Sequence, residues 1–159
     1  MGTRSRIGVM HGDNCKSVYC HWDGYLEHNG RILLENYDSA KANNLVALGD
    51  LSSLGPDIGE KHTFDSPFNY GTPEYDTWMS EKSKVCTFYG RDREEQDTGY
   101  KTDDTFEQFL QRADGCGAEY YYIMKDDVWY VGTTYSSDYT LGGKLVPLAE
   151  ALEEVAVDR

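Results

Sequence analysis

Thr3-Arg4-Ser5-Arg6-Ile7-Gly8-Val9-Met10 and Lys16-Ser17-Val18-Tyr19-Cys20-His21-Trp22, separated by a turn around Gly12-Asp13-Asn14, decide the fold. Both runs alternate with period 2, which predicts a β-hairpin. Either two-residue turn, Gly12-Asp13 or Asp13-Asn14, pairs even with odd positions. Ile7, Val9, Val18, Cys20 and Trp22 therefore share one face, and Arg4, Arg6, Tyr19 and His21 share the other. The first face is apolar; the second is basic and aromatic.

Outward from the hairpin, Leu26, Gly30, Leu33, Leu34 and Tyr37 mark one stripe of a helix over 25–36, with Asp23 as its N-cap. A second helix runs over 39–48, opened by Asp38 and closed by Gly49. Residues 50–56 read as a capped single turn. Residues 57–83 show no sustained period and interleave Gly, Pro, Ser and Asp with Phe64, Phe68, Tyr70, Tyr75 and Trp78, which predicts a long loop. A strand follows over 84–89, then a charged loop over 90–101. Thr102 or Asp103 caps a helix with Phe106, Phe109, Leu110 and Ala113 on one side, ended by Gly115-Cys116-Gly117. Strands over 119–124 and 128–132, joined by Lys125-Asp126-Asp127, make a second hairpin. A last helix opens near Pro147, turns Leu145, Leu148, Leu152 and Val155 inward and leaves an acidic outer face.

The sum is an α+β chain: about five strands in an antiparallel sheet, helices packed mainly on one face, and no βαβ alternation. Its 159 residues fit a single domain over 1–159, with the 57–83 loop as an insertion. The apolar share of 39% is too high for disorder despite a net charge of −13. No apolar run reaches the roughly 20 residues that span a bilayer, and the N-terminus has no signal-peptide pattern, so no membrane partner is expected. Twenty-eight acids against fifteen bases disfavour direct binding of nucleic acid. Cys15, Cys20, Cys86 and Cys116 form no CxxC pair and fit free thiols in a reducing compartment, with Cys20 and Cys86 buried in strands. His11, His21, His28 and His62 show no ligand spacing, so no metal or cofactor is expected.

Two short segments concentrate chemistry at strand ends. In Tyr19-Cys20-His21-Trp22-Asp23-Gly24-Tyr25, His21 lies beside Arg4 or Arg6 across the hairpin, while Asp23 stands where helix amides attract an anion. Tyr19 or Tyr25 offers a ring to a base. In Tyr89-Gly90-Arg91-Asp92-Arg93-Glu94-Glu95, Arg91 and Arg93 supply two forks for phosphate or carboxylate. The bland alternatives are a solvated sheet face and an exposed loop of local ion pairs. Hydrolase, P-loop, dinucleotide, metalloprotease and calcium-loop signatures are absent, and His21 beside Asp23 is the weak sign of an acid-base pair.

The series Thr3-Arg4-Ser5-Arg6-Ile7, Tyr19-Cys20-His21-Trp22-Asp23-Gly24-Tyr25, Gly49-Asp50-Leu51-Ser52-Ser53-Leu54-Gly55 and Cys86-Thr87-Phe88-Tyr89-Gly90-Arg91-Asp92-Arg93 resembles the motifs of an uncharacterised family of small bacteriophage proteins. The likeness spans about the first two-thirds of the chain and, with no activity known for the family, transfers no catalytic residue. It implies a phage accessory product in the host cytoplasm. With the constellation above, the expectation is a counter-defence protein that binds a small anionic, nucleotide-like ligand without turnover, at Arg4, Arg6, Tyr19, His21, Asp23, Tyr25, Arg91 and Arg93. One alternative is an acidic inhibitor of a host or defence protein's nucleic-acid-binding surface. Another is an enzyme acting on a nucleotide or phosphoester through His21.

Overall fold

The computed structural model describes residues 3–133 and 145–157. Strands β1 (Ser5–His11) and β2 (Asn14–Cys20) pair antiparallel around Gly12-Asp13, with Ile7 opposite Val18 and Arg6 opposite Tyr19. The expected parity holds: Ile7, Val9, Val18 and Cys20 are buried in one core. Trp22 departs from it, because β2 ends at Cys20 and the indole is 44% exposed. Beyond Cys20 the chain turns at Asp23, whose φ of 57° is left-handed.

Among the described residues the sheet has eight strands and mixed pairing, in the order β4 (Thr87–Phe88), β3 (Leu51–Ser53), β2, β1, β6 (Tyr120–Lys125), β7 (Val128–Thr133), β8 (Val146–Pro147), with β5 (Lys101–Asp103) also on β2. This corrects the five-stranded antiparallel expectation. Residues 50–56 hold one of the additional strands, β3 (Leu51–Ser53), which pairs parallel to β2 at Cys20. The helical block between β2 and β3 is thus a crossover connection, which parallel strands require. That block is a π-helical turn at Leu26–Gly30 running into α1 (Arg31–Asn36), then α2 (Ser39–Ala47). Asp23 caps neither. Tyr25 holds the N-cap position without a side-chain bond, while Asp38 caps α2 as expected by accepting the Lys41 amide at 2.8 Å. Leu34 is another departure, at 37% exposed.

The 57–83 segment is not a plain loop, since it carries α3 (Pro73–Lys82), capped by Thr72 with proline in the first turn. The helix buries none of its residues, so no apolar stripe announces it. The strand expected over 84–89 shrinks to β4 (Thr87–Phe88), because Tyr89 already starts α4 (Tyr89–Arg93). The charged stretch after it then contains β5 (Lys101–Asp103), antiparallel to the first half of β2. Asp103 is therefore a strand residue, and Thr105 caps α5 (Phe106–Gly115) by accepting the Gln108 amide.

Strands β6 (Tyr120–Lys125) and β7 (Val128–Thr133) form the second hairpin, over Asp126 and Asp127 at φ 52° and 62°. Two left-handed residues are what a tight hairpin turn requires. β6 lies parallel to β1, pairing Ser5 with Tyr120. Pro147 belongs to β8 (Val146–Pro147), and α6 (Leu148–Val157) follows with Leu148 and Leu152 buried. Leu145 is 36% exposed instead of inward, and the Val155 side chain lies outside the described residues.

Helices cover both faces of the sheet. Leu33 of α1, Leu45 of α2 and Leu148 of α6 pack on Ile7, Val18, Tyr122 and Trp129. On the opposite face Phe109 and Ala113 of α5 pack on Cys15, Tyr121 and Ile123. Among the described residues, no helix is long and apolar enough to cross a membrane.

Candidate functional site

The outer edge of β2 is shared by two short strands in tandem, β5 along Cys15–Ser17 and β3 at Cys20. Between them the Tyr19 amide has no strand partner, and the Asp50 carboxylate fills the place, accepting that N–H at 2.9 Å. A buried amide must be paired, so the gap in the ladder fixes an acidic side chain at this point. Arg6 stands across the hairpin, only 3% exposed. Its Nε donates to the Ser17 hydroxyl at 2.8 Å and one terminal nitrogen donates to the Ser17 carbonyl at 3.3 Å. Lys101 comes from β5, in register with Ser17. Arg112 comes from α5 and is clamped by Asp103, at 2.9–3.1 Å to both carboxylate oxygens.

Arg6, Tyr19, Asp50, Lys101, Arg112, Gly115 and Cys116 together line one open depression of about 500 Å³. Arg4 reaches over Gly117 beside it, with a guanidinium nitrogen 3.0 Å from where a Cβ on that glycine would stand. Among the described residues neither Arg4 nor Lys101 has an ion-pair partner. The depression therefore presents cations on the face of a chain with net charge −13.

The Tyr19 hydroxyl lies 2.7 Å from His21 Nδ1, and the His21 ring meets Trp22 edge-on at 4.6 Å between centroids. Burial pushes the Tyr19 phenol up to about 12, against the pull of Arg4. Burial also raises the Asp50 carboxyl, while the Tyr19 amide, Arg6 and Lys101 hold it down. Buried Cys15 and Cys20 are pushed up to about 12, so neither is a thiolate near neutrality. No group of three His, Cys, Asp or Glu side chains among the described residues would hold a metal ion. What the arrangement offers is charge-assisted donors and ring surface, which suits an anion carrying a planar group.

Arg6 and Tyr19 pair across the hairpin on one face, as the alternation requires, and His21 joins them through the Tyr19 hydroxyl. Asp23 does not orient His21, whose ring bonds to Tyr19 instead. Tyr25 is 42% exposed, with its ring 6.0 Å from that of His28. The second segment is linked to the first through Asp50, whose carbonyl accepts the Tyr89 amide at 3.1 Å and whose carboxylate accepts the Tyr19 amide at 2.9 Å. Its arginines turn to the insertion. Arg91 donates to the carbonyls of Ile58, Gly59 and Cys86 at 2.8–3.2 Å and to Asp92 at 3.0 Å. Arg93 lies over the Phe64 ring at 4.8 Å, with Glu95 at 3.7 Å.

Asp50, Lys101, Arg112 and Cys116 are the lining residues that sequence reasoning did not single out. Asp50 reads as a cap in a turn, and Lys101 as part of a charged loop. The pairing of β5 with β2, which joins residues some 85 positions apart, brings in Lys101, the pairing of β3 with β2 brings in Asp50, and α5 with its C-cap carries Arg112 and Cys116. In comparisons with protein-family models, with curated proteins and with solved structures, the chain matches none.

Proposed function

We propose that the depression between β2, β5 and α5 binds a small anionic, nucleotide-like ligand and does not turn it over. The observation that carries this reading is the convergence of Arg6, Lys101 and Arg112 on one hollow in a strongly acidic chain. Lys101, Arg4 and the remaining terminal nitrogen of Arg6 would take the negative charge, and Tyr19 would offer its ring. The resemblance of the motif series to small bacteriophage proteins supports an accessory role in the host cytoplasm, to which a nucleotide-like ligand adds the counter-defence reading.

Thermal melts against cyclic and linear nucleotides test the reading. At a free concentration about 100 times the dissociation constant, mass action stabilises the fold by about 2.7 kcal/mol. For a chain of this length that is a rise of roughly 5–10 °C. Lys101→Ala and Arg4→Ala should reduce the rise and leave the ligand-free melt unchanged, since both side chains are exposed. Arg6→Ala is a poor control, because it strips a buried serine of its partner. No rise with any nucleotide, or equal rises in the Lys101 and Arg4 variants, would overturn the assignment.

A further inference from the structure

The 57–83 segment gives the core almost nothing, yet it is firmly built. Its base is locked by the Asp57 amide on the Lys84 carbonyl at 3.1 Å and by Arg91 on the Ile58 and Gly59 carbonyls. The Lys82 ammonium ties its far end by donating to the Phe64 carbonyl at 2.7 Å. On this frame α3 buries no residue, and Tyr70 stands 88% exposed against Tyr75, with Phe68 and Met79 also open. A helix that adds nothing to the interior while displaying rings has its use at the surface.

We infer that this segment is a docking surface for the arginine-rich face of another protein. Charge selects the partner. The segment holds six acids against two lysines; Asp57 pairs with Lys41 at 3.7 Å and Glu81 with Lys84 at 3.1 Å, while Glu74 and Asp76 of α3 are exposed and in no ion pair among the described residues. Both lysines are already engaged, Lys61 with Glu94 at 2.9 Å and Lys82 with Phe64. Carboxylates interleaved with rings repel a phosphate backbone, and they repel the same surface on a second copy. They attract guanidinium groups, which pair with carboxylates and lie flat on rings. Cations already lie over the segment's own rings: the Lys82 ammonium sits 4.8 Å from Trp78 and 5.1 Å from Phe64, and the Arg93 guanidinium 4.8 Å from Phe64. Rings and negative charges in alternation are also what a nucleic-acid strand presents, so the fitting partner is a basic face that otherwise takes nucleic acid. This surface is separate from the depression and does not depend on the ligand reading.

The test titrates the ¹⁵N-labelled protein with a synthetic arginine-rich peptide and, separately, with its lysine counterpart. Amide shifts should be confined to residues 65–82, weaken with salt and be larger for arginine than for lysine. Replacing Glu74, Asp76 and Glu81 together by lysine should cost at least about tenfold in affinity, as expected for loss of electrostatic complementarity. Tyr70→Ser, at a side chain with nothing to hold in the core, should weaken binding without changing the spectrum elsewhere. A labelled oligodeoxynucleotide bound to the peptide should be released by the wild-type protein and not by the charge-reversed one. Equal binding by the charge-reversed protein, shifts centred on Arg4 and Lys101, or a dimer in sedimentation that charge reversal abolishes would each overturn the inference.

Discussion

Asp92 is the side chain whose removal should cost the most per atom. Its carboxylate is fully buried and accepts three hydrogen bonds: Oδ2 from the Phe88 amide at 2.8 Å, and Oδ1 from the His62 amide and Arg91 Nε, both at 3.0 Å. Those three donors join β4, α4 and the base of the insertion. In Asp92→Ala two backbone amides and a guanidinium lose their acceptor, and breaking a buried charge pair in this way costs about 3–5 kcal/mol. Asp92→Asn can keep both bonds at Oδ1 but sets an NH₂ against the Phe88 N–H, so about 2–3 kcal/mol is expected from one stranded donor and the lost charge. Urea unfolding should show lower midpoints with unchanged slope, and melting should fall by roughly 6–20 °C for the alanine variant. pH adds a check. Burial opposes ionisation of Asp92, but Arg91 and the two amides outweigh it and hold the carboxyl below its ordinary value of 3.8. A depressed folded value means that the stabilisation is complete above the unfolded value and is lost as pH falls through the folded one. The gap between wild type and Asp92→Asn should be full at neutral pH and close below pH 3.8. An alanine variant within about 1 kcal/mol of wild type, a cost below the range for a broken buried pair, would refute the hub reasoning; so would a gap that widens in acid.

Other outcomes follow from single contacts. Asp50 sits among the cations with a raised carboxyl, so anion binding should draw a proton onto it; affinity should rise as pH falls toward the carboxylate range, and Asp50→Asn should remove that component in a pH series of binding isotherms. Without ligand, the raised value makes Asp50 a cost at neutral pH that is relieved in acid, so the same variant should be no less stable than wild type at pH 7. A methyl on Gly132 would run into the Tyr121 ring, and Gly132→Ala should lose about 1–3 kcal/mol by overpacking, read by urea denaturation. Tyr37→Phe removes a buried hydroxyl that donates to the Gly55 carbonyl at 2.8 Å, for about 1–2 kcal/mol in the same assay.

The features legible in the sequence are those with a local physical signal. Alternation at Ile7, Val9, Val18 and Cys20 set the hairpin faces, Asp38 announced its helix, and the Phe106–Phe109–Ala113 spacing announced α5. β3 spans three residues, too few to show a period, and without it the parallel pairing of β2 could not be read. α3 escaped because a helix with no buried side has no stripe. The candidate site was half visible: Arg4, Arg6, Tyr19 and His21 follow from parity, whereas Asp50, Lys101 and Arg112 depend on strands meeting across the chain. Arg91 looked like a ligand fork, and nothing local shows that carbonyls of the insertion consume its donors.

The parallel pairing of β1 with β6 has a consequence for how the chain comes off the ribosome. Ser5 must wait for Tyr120, about 115 residues later, before that side of the first hairpin is covered. At roughly 5–20 residues per second of synthesis, the wait is about 6–23 s. Loop-closure entropy then delays the pairing further, so the topology favours slow, late closure of the sheet's middle. For that interval β1 is an open edge able to recruit another nascent strand. Arg4 and Arg6 at its start and His11 at its end are the polar residues that guard it. Replacing Arg4 and His11, which are exposed, with apolar residues should lower the yield of folded protein during synthesis well before it changes the melting temperature of the molecules that succeed.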